Sequence, residues 1–480
     1  MPGSPVDTSP FVVVGGDAAG LSAASKCLRE DPDREVVVFE KGRWVSYAHC
    51  GQPYYVKGEV EQLSDLLSLS PADIAERGID LRRSHEVVDV RPDEGVVRVE
   101  GPDGAFDQPY GDLLVATGSH AVADPIQGAD LDGAFTIHGM DSAAALRAYL
   151  TPPDEVDPDS FDTEMADREL VAKYAAMAPP ESAAIVGGGY VGVEMAEAYS
   201  AHGLDVHLFQ RPDQLLPPFG EAVGDRAAET LREHGVDLHL STEVDALVGE
   251  DRVDAVEIAG ERVPAEVAVV GIGVEPNTEL VAGTDIEFGA SGAIAVDDYG
   301  RTSLEHVYAA GDCAEMRNAV TGEPDWVPLG LTANRAGRAI GHTVAGDPAP
   351  VGDIVGTAVV KAFALECGRS GILDHERARE AGFDPVSETI TAGSRSGYYP
   401  GNAETTVTLT ADRDTGQLLG GAIAGEDRAA IRIDTVATAL ESGLTVGEVE
   451  RLDLAYAPPF SPVWDPVLVA AKVLNGTLQE

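Results

Sequence analysis

Apolar and polar positions fall into blocks whose lengths predict the elements. Phe11 to Val14 is an unbroken apolar run, as expected of a strand buried on both faces, and it feeds a glycine-rich turn, Gly15-Gly16-Asp17-Ala18-Ala19-Gly20. Small residues at helical spacing follow, then a second apolar strand, Val36 to Phe39, closed by Glu40. The same succession returns about 170 residues later: SAAIV, the turn Gly187 to Gly192, a helix and a strand ending at Gln210. Between them, Leu63 to Asp80 reads as helical and HEVVDVRPDEGVVRVEG as short alternating strands. Beyond Pro350 the pattern changes to alternating strands, KAFALECG and TTVTLTADRDTGQLLGGAIAG, with two helical stretches.

The pattern predicts an α/β protein with two Rossmann-like dinucleotide-binding domains and a C-terminal α+β domain. The expected boundaries are 1–120 with 295–349 for the first domain, 121–150 for a connecting segment and 151–181 for an acidic, proline-rich surface insertion. The second domain spans 182–294 and the third 350–480. The first half of the insertion can be ordered or disordered on composition alone.

Each glycine turn offers a helix N-terminus to a pyrophosphate. In the first, Gly15, Ala19 and Gly20 face the phosphates and Glu40, with Lys41 behind it, meets the adenosine ribose hydroxyls; Asp17 replaces the middle glycine, so its carboxylate should point away. Thr117-Gly118, in LLVATGSH, and Gly311-Asp312, after a buried strand, complete this site. The second turn has Gly187, Gly189 and Gly192 in full register. Its strand ends in neutral Gln210 followed by Arg211, a pair suited to a 2′-phosphate, which favours NADPH and leaves NADH possible.

Charge narrows the partners. With 82 acidic and 33 basic residues the formal net charge is −49, so nucleic acid and anionic membrane are excluded on Coulomb grounds. Such a surface fits a halophilic cytosol, where molar salt screens the self-repulsion. No signal-peptide pattern or bilayer-length apolar run is seen, so a soluble cytoplasmic protein is expected. Against this background the cations Lys26, Arg29, Arg77, Arg82 and Arg83 become candidates for holding an anionic substrate.

The four cysteines, Cys27, Cys50, Cys313 and Cys367, have neither disulfide-framework nor metal-ligand spacing. Cys50 stands apart, ten residues after Glu40 in SYAHCGQPYY. At a helix start its thiol pKa would be lowered, and its nearness to a dinucleotide turn suggests a redox relay.

GGDAAG, ATGS, GGGYVGVE and YAAGDCAE occur in the order found in the flavoprotein pyridine nucleotide-disulfide reductases, which the chain resembles over nearly its whole length apart from the insertion. SYAHCGQPYY, YYPG at 398–401 and DLAYAPPFSPVWDP resemble the family's single-cysteine branch, which holds coenzyme A-disulfide reductases and NADH oxidases and peroxidases. The resemblance implies FAD in the first site, NAD(P)H in the second, and a homodimer in which the C-terminal domain completes the partner's active site. It also implies Asp312 near the flavin ribityl or phosphate, Glu194 near flavin and nicotinamide, and catalytic Tyr398 and Tyr456 with Cys50. Coenzyme A contacts would come from Lys26, Arg29, Ser46 and His49, the last replacing a more usual asparagine. Ala18 stands where peroxidase members carry histidine, which removes an acid-base group for peroxide chemistry. The expected reaction is reduction of coenzyme A disulfide through a Cys50 mixed disulfide. NADH oxidase or peroxidase chemistry, polysulfide or persulfide reduction, and a flavin-bound redox sensor remain alternatives.

Overall fold

The structure, a computed structural model, describes residues 9–156, 161 and 165–479. Its first sheet runs, in spatial order, Val307–Ala309, Asp112–Val115, Phe11–Val14, Val36–Glu40 and Asp80–Arg83. All of its pairings are parallel. Phe11, Val12 and Val13 are buried completely, as a central parallel strand covered on both faces requires. The helix Ala18–Glu30 crosses it and packs on the long helix Gly330–Val344 through small residues. A Cβ on Gly337 would lie 2.1 Å from the Ala19 carbonyl oxygen, and one on Gly341 2.4 Å from that of Ala23, so the two backbones are in contact.

The second sheet repeats the design with Asp237–Leu240, Asp205–Gln210, Ser182–Val186, Val267–Val270 and Ala134–Phe135, again all parallel. The third unit is a five-stranded antiparallel sheet, in the order Ala358–Ala362, Leu365–Gly371, Leu418–Gly425, Glu404–Asp412 and Pro385–Gly393. The helices Ala429–Glu441 and Pro466–Leu478 cover it. Among the described residues no helix is long and apolar enough to cross a membrane.

Three segments differ from their expected form. Leu63 to Asp80 is not one helix: it contains a single-turn 3-10 helix Leu63–Leu66, the short helix Pro71–Glu76 and the start of the sheet strand Asp80–Arg83. Pro71 fixes a helix start, Ser70 caps it, and Gly78 at φ +83° ends it. The stretch 121–150 is more than a connection, since Ala134–Phe135 forms the edge strand of the second sheet and Met140–Leu150 is a largely buried helix. The expected surface insertion 151–181 puts Phe161, Met165 and Tyr174 into the same core, with the Tyr174 hydroxyl accepting the Gly133 N–H at 3.1 Å. Residues 157–160 and 162–164 of that insertion, where its first half was open between order and disorder, lie outside the described residues.

Candidate active site

The first glycine turn leaves its strand at Gly15, whose φ of +116° only glycine adopts readily and where a Cβ would meet the Ala116 carbonyl oxygen at 2.0 Å. Gly20 lets the helix approach the turn, since a Cβ there would lie 2.0 Å from Gly15 O. Glu40 holds this cradle shut: its two carboxylate oxygens accept the N–H groups of Gly16 at 2.9 Å and Gly42 at 2.7 Å. Burial raises the Glu40 pKa, and those two backbone donors oppose it. Lys41 is exposed beside it. The helix end, the backbone cradle and a carboxylate at the strand end fit an adenine dinucleotide pyrophosphate and ribose.

Across the sheet the Thr117 hydroxyl donates to Asn277 O at 2.6 Å, and the Asn277 side chain returns a bond to Thr117 O at 2.8 Å. With Gly118 at φ +69°, this clamps the first domain to the second. Ser119 Oγ donates to Asp312 Oδ2 at 2.9 Å, and Trp326 Nε1 to the Asp312 carbonyl at 2.7 Å. Gly311, at φ +85°, brings the Asp312 loop against Ala19. Burial raises the Asp312 pKa.

The second turn is built alike. Gly187, at φ +110°, has the Gly271 carbonyl oxygen 2.2 Å from the place of a Cβ, and Gly192 has Gly187 O at 1.9 Å. Gly189 stands open at the N-cap of the helix Tyr190–Ala201. Gln210 is buried and already engaged: its Oε1 accepts the Gly188 N–H at 2.8 Å and its Nε2 donates to Gln214 O at 3.2 Å. It therefore braces the turn, whereas Arg211 is exposed.

Cys50 lies in the 3-10 turn His49–Gly51, immediately before the short helix Gln52–Lys57. A Cβ on Gly51 would strike Leu66 at 2.4 Å, so glycine at this position seats the turn. Of the four free cysteines Cys50 alone is exposed; Cys27, Cys313 and Cys367 are buried. Its thiol pKa is raised, first by the protein packed beneath the side chain and then by Glu194, with Asp312 adding to the effect. The expected lowering is therefore not supplied by the polypeptide: two neighbouring carboxylates and partial desolvation disfavour the thiolate.

The two helices that meet at this point pair residue for residue. Tyr54 OH donates to Glu194 Oε1 at 2.7 Å, and one turn further Lys57 Nζ donates to Glu197 Oε1 at 2.6 Å. Burial pushes Glu194 up to about 7, with the Tyr54 hydrogen bond opposing it and the Glu197 charge adding to it. Lys361 Nζ and the Phe363 N–H also reach Glu197, both at 3.0 Å, so all three units are tied at one carboxylate. Tyr54, Lys57, Glu197 and Lys361 escaped the sequence reading. Only the adjacency of Tyr54 to Cys50 in CGQPYY could have pointed to the first of them.

Asp17 turns away from the helix it caps and meets His49, Oδ2 to Nε2 at 2.7 Å. The two departures from the usual motifs are thus one pair. Ser46 is buried at φ +53°, its N–H donating to Gly16 O at 3.0 Å. Lys26 is buried and ion-paired with Glu30, so it presents no free charge. Arg29 and Arg77, both exposed, converge on Ser25: Arg29 Nε contacts its carbonyl at 3.4 Å and Arg77 Nη1 its hydroxyl at 3.5 Å. Tyr398 and Tyr456 are 77 % and 50 % exposed on the C-terminal unit, away from any core. Arg432 fixes their loops to one another, donating from Nη2 to Ser394 O at 2.7 Å and Phe460 O at 3.2 Å and from Nε to Asp465 Oδ2 at 3.0 Å.

Two glycine cradles on parallel sheets, with an exposed thiol that feels the Glu194 charge of the second unit, fit a two-dinucleotide redox protein. Residues 9–332 match the pyridine nucleotide-disulphide oxidoreductase family and residues 357–466 its dimerisation domain, and the chain belongs to that family. It is accordingly a flavin-dependent NAD(P)H oxidoreductase. It is 38 % identical over 466 residues to the NAD(P)H coenzyme A polysulfide/persulfide reductase of Pyrococcus horikoshii, covering 97 % of this chain and 98 % of that one. It is 27 % identical over 455 residues to the coenzyme A disulfide reductase of Staphylococcus haemolyticus, covering 94 % and 96 %. The solved NAD-dependent persulfide reductase of A. fulgidus superposes with a TM-score of 0.89 at 31 % identity, covering 98 % of this chain and 84 % of that one.

Proposed function

We propose that this protein uses NADPH to reduce coenzyme A disulfide to two coenzyme A thiols through Cys50, working as a homodimer. The observation that carries the reading is that Cys50 is exposed, within reach of the Glu194 charge from the second unit, while the other three cysteines are buried. A disulfide on Cys50 must then be made with a thiol of the substrate, and the reaction needs no second protein cysteine.

The Cys50 thiolate attacks one sulfur of coenzyme A disulfide, forms the Cys50–S–S–CoA bond and expels the other half as a thiolate, which takes up a proton. The first cradle would hold FAD, whose reduced form would supply the NADPH-derived electron pair for cleaving this bond, with the second thiol released and the Cys50 thiolate restored. The balance is one disulfide, one NADPH and one proton in, and two thiols and NADP+ out. Glu194, with a pKa of about 7, can hold or release a proton beside Cys50 at neutral pH, and the Tyr54 hydrogen bond orients it. The partner subunit's Tyr398 and Tyr456 donate hydrogen bonds to the departing thiolate. Arg29 and Arg77 bind the coenzyme A phosphates, and Ser46 and His49 position the chain next to the sulfur. Arg211 receives the NADPH 2′-phosphate while Gln210 braces the turn.

A second reading is favoured by the 38 % identity to a coenzyme A polysulfide/persulfide reductase. With coenzyme A persulfide, attack on the CoA-bearing sulfur gives the same Cys50 mixed disulfide and expels hydrosulfide instead of a thiolate. The two readings part at the first leaving group. NADPH consumption, free thiol and sulfide are therefore measured with each substrate. Two thiols per NADPH from coenzyme A disulfide, at a higher kcat/KM than the persulfide, supports the first reading; faster consumption with one sulfide and one thiol per NADPH supports the second.

A further inference from the structure

On the amino-terminal side of the second sheet, two neighbouring parallel strands carry the same short pattern, Asp205-Val206-His207 and Asp237-Leu238-His239. Alternation along a strand puts each aspartate and its histidine on one face. The register places His207 opposite Asp237 and Phe209 opposite His239, so His207 lies between the other three side chains, with Asp237 and His239 at its Nδ1 and Asp205 at its Nε2. His207 Nδ1 lies 3.2 Å from His239 Nε2 and 3.7 Å from Asp237 Oδ2, and His207 Nε2 lies 3.8 Å from Asp205 Oδ2. Ligand atoms of Asp205, His207 and Asp237 all fall within 4.8 Å of one another. His239 is held from beneath by stacking on buried Phe209, ring centroids 4.5 Å apart and planes 17° apart.

We propose that Asp205, His207, Asp237 and His239 bind a borderline divalent transition metal of the zinc class. Two zinc–imidazole bonds at a tetrahedral angle separate their nitrogens by about 3.3 Å, close to the spacing of the two facing rings here. Two imidazoles with two carboxylates satisfy a divalent ion's charge and favour zinc over calcium or magnesium, which take oxygen donors. The histidine pair also sets this group apart from the many acidic clusters of so anionic a chain, which offer oxygen only. The site is separate from the redox centre: nucleotides bind at the carboxyl ends of such strands, where Gln210 stands, whereas Asp205 and Asp237 open theirs. A metal here clips the edge strand Asp237–Leu240 to its neighbour.

Untagged flavoprotein, stripped with chelator, is titrated with Zn2+ in excess Mg2+ and counted by elemental analysis. One zinc per chain is expected, with a Kd in the micromolar range or tighter and a rise in Tm. His207→Gln/His239→Gln should abolish this binding while flavin content and NADPH-dependent flavin reduction stay at parent levels. Asp205→Asn/Asp237→Asn alters exposed side chains and should weaken zinc at least tenfold, which keeps the test decisive if the histidine variant does not fold. Absence of tight zinc in the parent, or equal zinc affinity in the parent and the asparagine variant, would overturn the proposal.

Discussion

The two dinucleotide units are built on one plan and differ in the residue that braces the turn. In the first, Glu40 accepts the Gly16 N–H at 2.9 Å; in the second, Gln210 accepts the Gly188 N–H at 2.8 Å. The hydrogen bond is conserved between the units while the charge is not. Glu40 spends its second oxygen on Gly42, whereas Gln210 donates its amide to Gln214 O. A carboxylate at the strand end accepts ribose hydroxyls and repels a phosphate, and a neutral amide beside exposed Arg211 removes that repulsion. The comparison teaches that the strand-end residue has two tasks, holding the turn and setting the local charge. The units differ in the second task alone.

The same comparison separates what each unit gives to chemistry. The first supplies the exposed Cys50 thiol and Tyr54 from the segment after its second strand. The second supplies Glu194 and Glu197 from the helix that follows its glycine turn. The proposed redox centre thus adjoins a contact between the units, made by matched side chains one turn apart on facing helices.

The largest break is a methyl group in a turn. Gly187→Ala places a Cβ 2.2 Å from Gly271 O at φ +110°, costing roughly 3 kcal/mol or more. Flavin should stay bound while reduction by NADPH is lost. Gly15→Ala, with its contact at 2.0 Å, should lose the flavin instead. Flavin content and the rate of flavin reduction check both.

Next in size is the carboxyl between the units. Glu194 sits at about 7 in the folded chain, above its ordinary value of 4.5, so the folded state holds this proton more tightly than the unfolded state. The linked stability is fully present below pH 4.5 and is lost as pH rises through 7, by up to about 3 kcal/mol. In the flavin-free protein Glu194→Gln should remove this decline, seen as a flatter difference in urea-unfolding free energy between pH 4.5 and 8. Parallel pH curves for parent and variant would show that Glu194 titrates as an ordinary carboxyl.

The smallest effect sharpens the contrast in charge. Arg211→Ala should lower kcat/KM for NADPH by about 1 to 2 kcal/mol, the value of one charge-assisted contact, and leave NADH nearly unchanged. Equal loss with both nucleotides would remove Arg211 from phosphate recognition.

The sheets of both units were readable because buried parallel strands are unbroken apolar runs ending at glycine turns, a signal local in sequence. The stretch 63–80 misled because its apolar residues sit at near-helical spacing while Pro71 and Gly78 divide it. Phe161, Met165 and Tyr174 were hidden in an acidic, proline-rich segment whose average polarity masks the few side chains that enter the core. Cys50 stood out through its neighbouring motif. The Asp17–His49 pair and the Glu197 junction did not, because they join residues 32 to 166 positions apart that only the folded chain brings together. Lys26 looked like a free cation because sequence spacing does not report the helix packed over it.

If electrons leave through Cys50, Cys50→Ser removes their exit. Serine keeps the size and hydrogen bonding and removes the thiolate, so FAD content and NADPH reduction of the flavin should match the parent. Thiol release from coenzyme A disulfide should fall to background, and the mass of a coenzyme A adduct found on the parent chain should be absent. Retention of parent-like thiol release by the serine variant would contradict the account, leaving Cys50 a structural residue and the electron exit elsewhere.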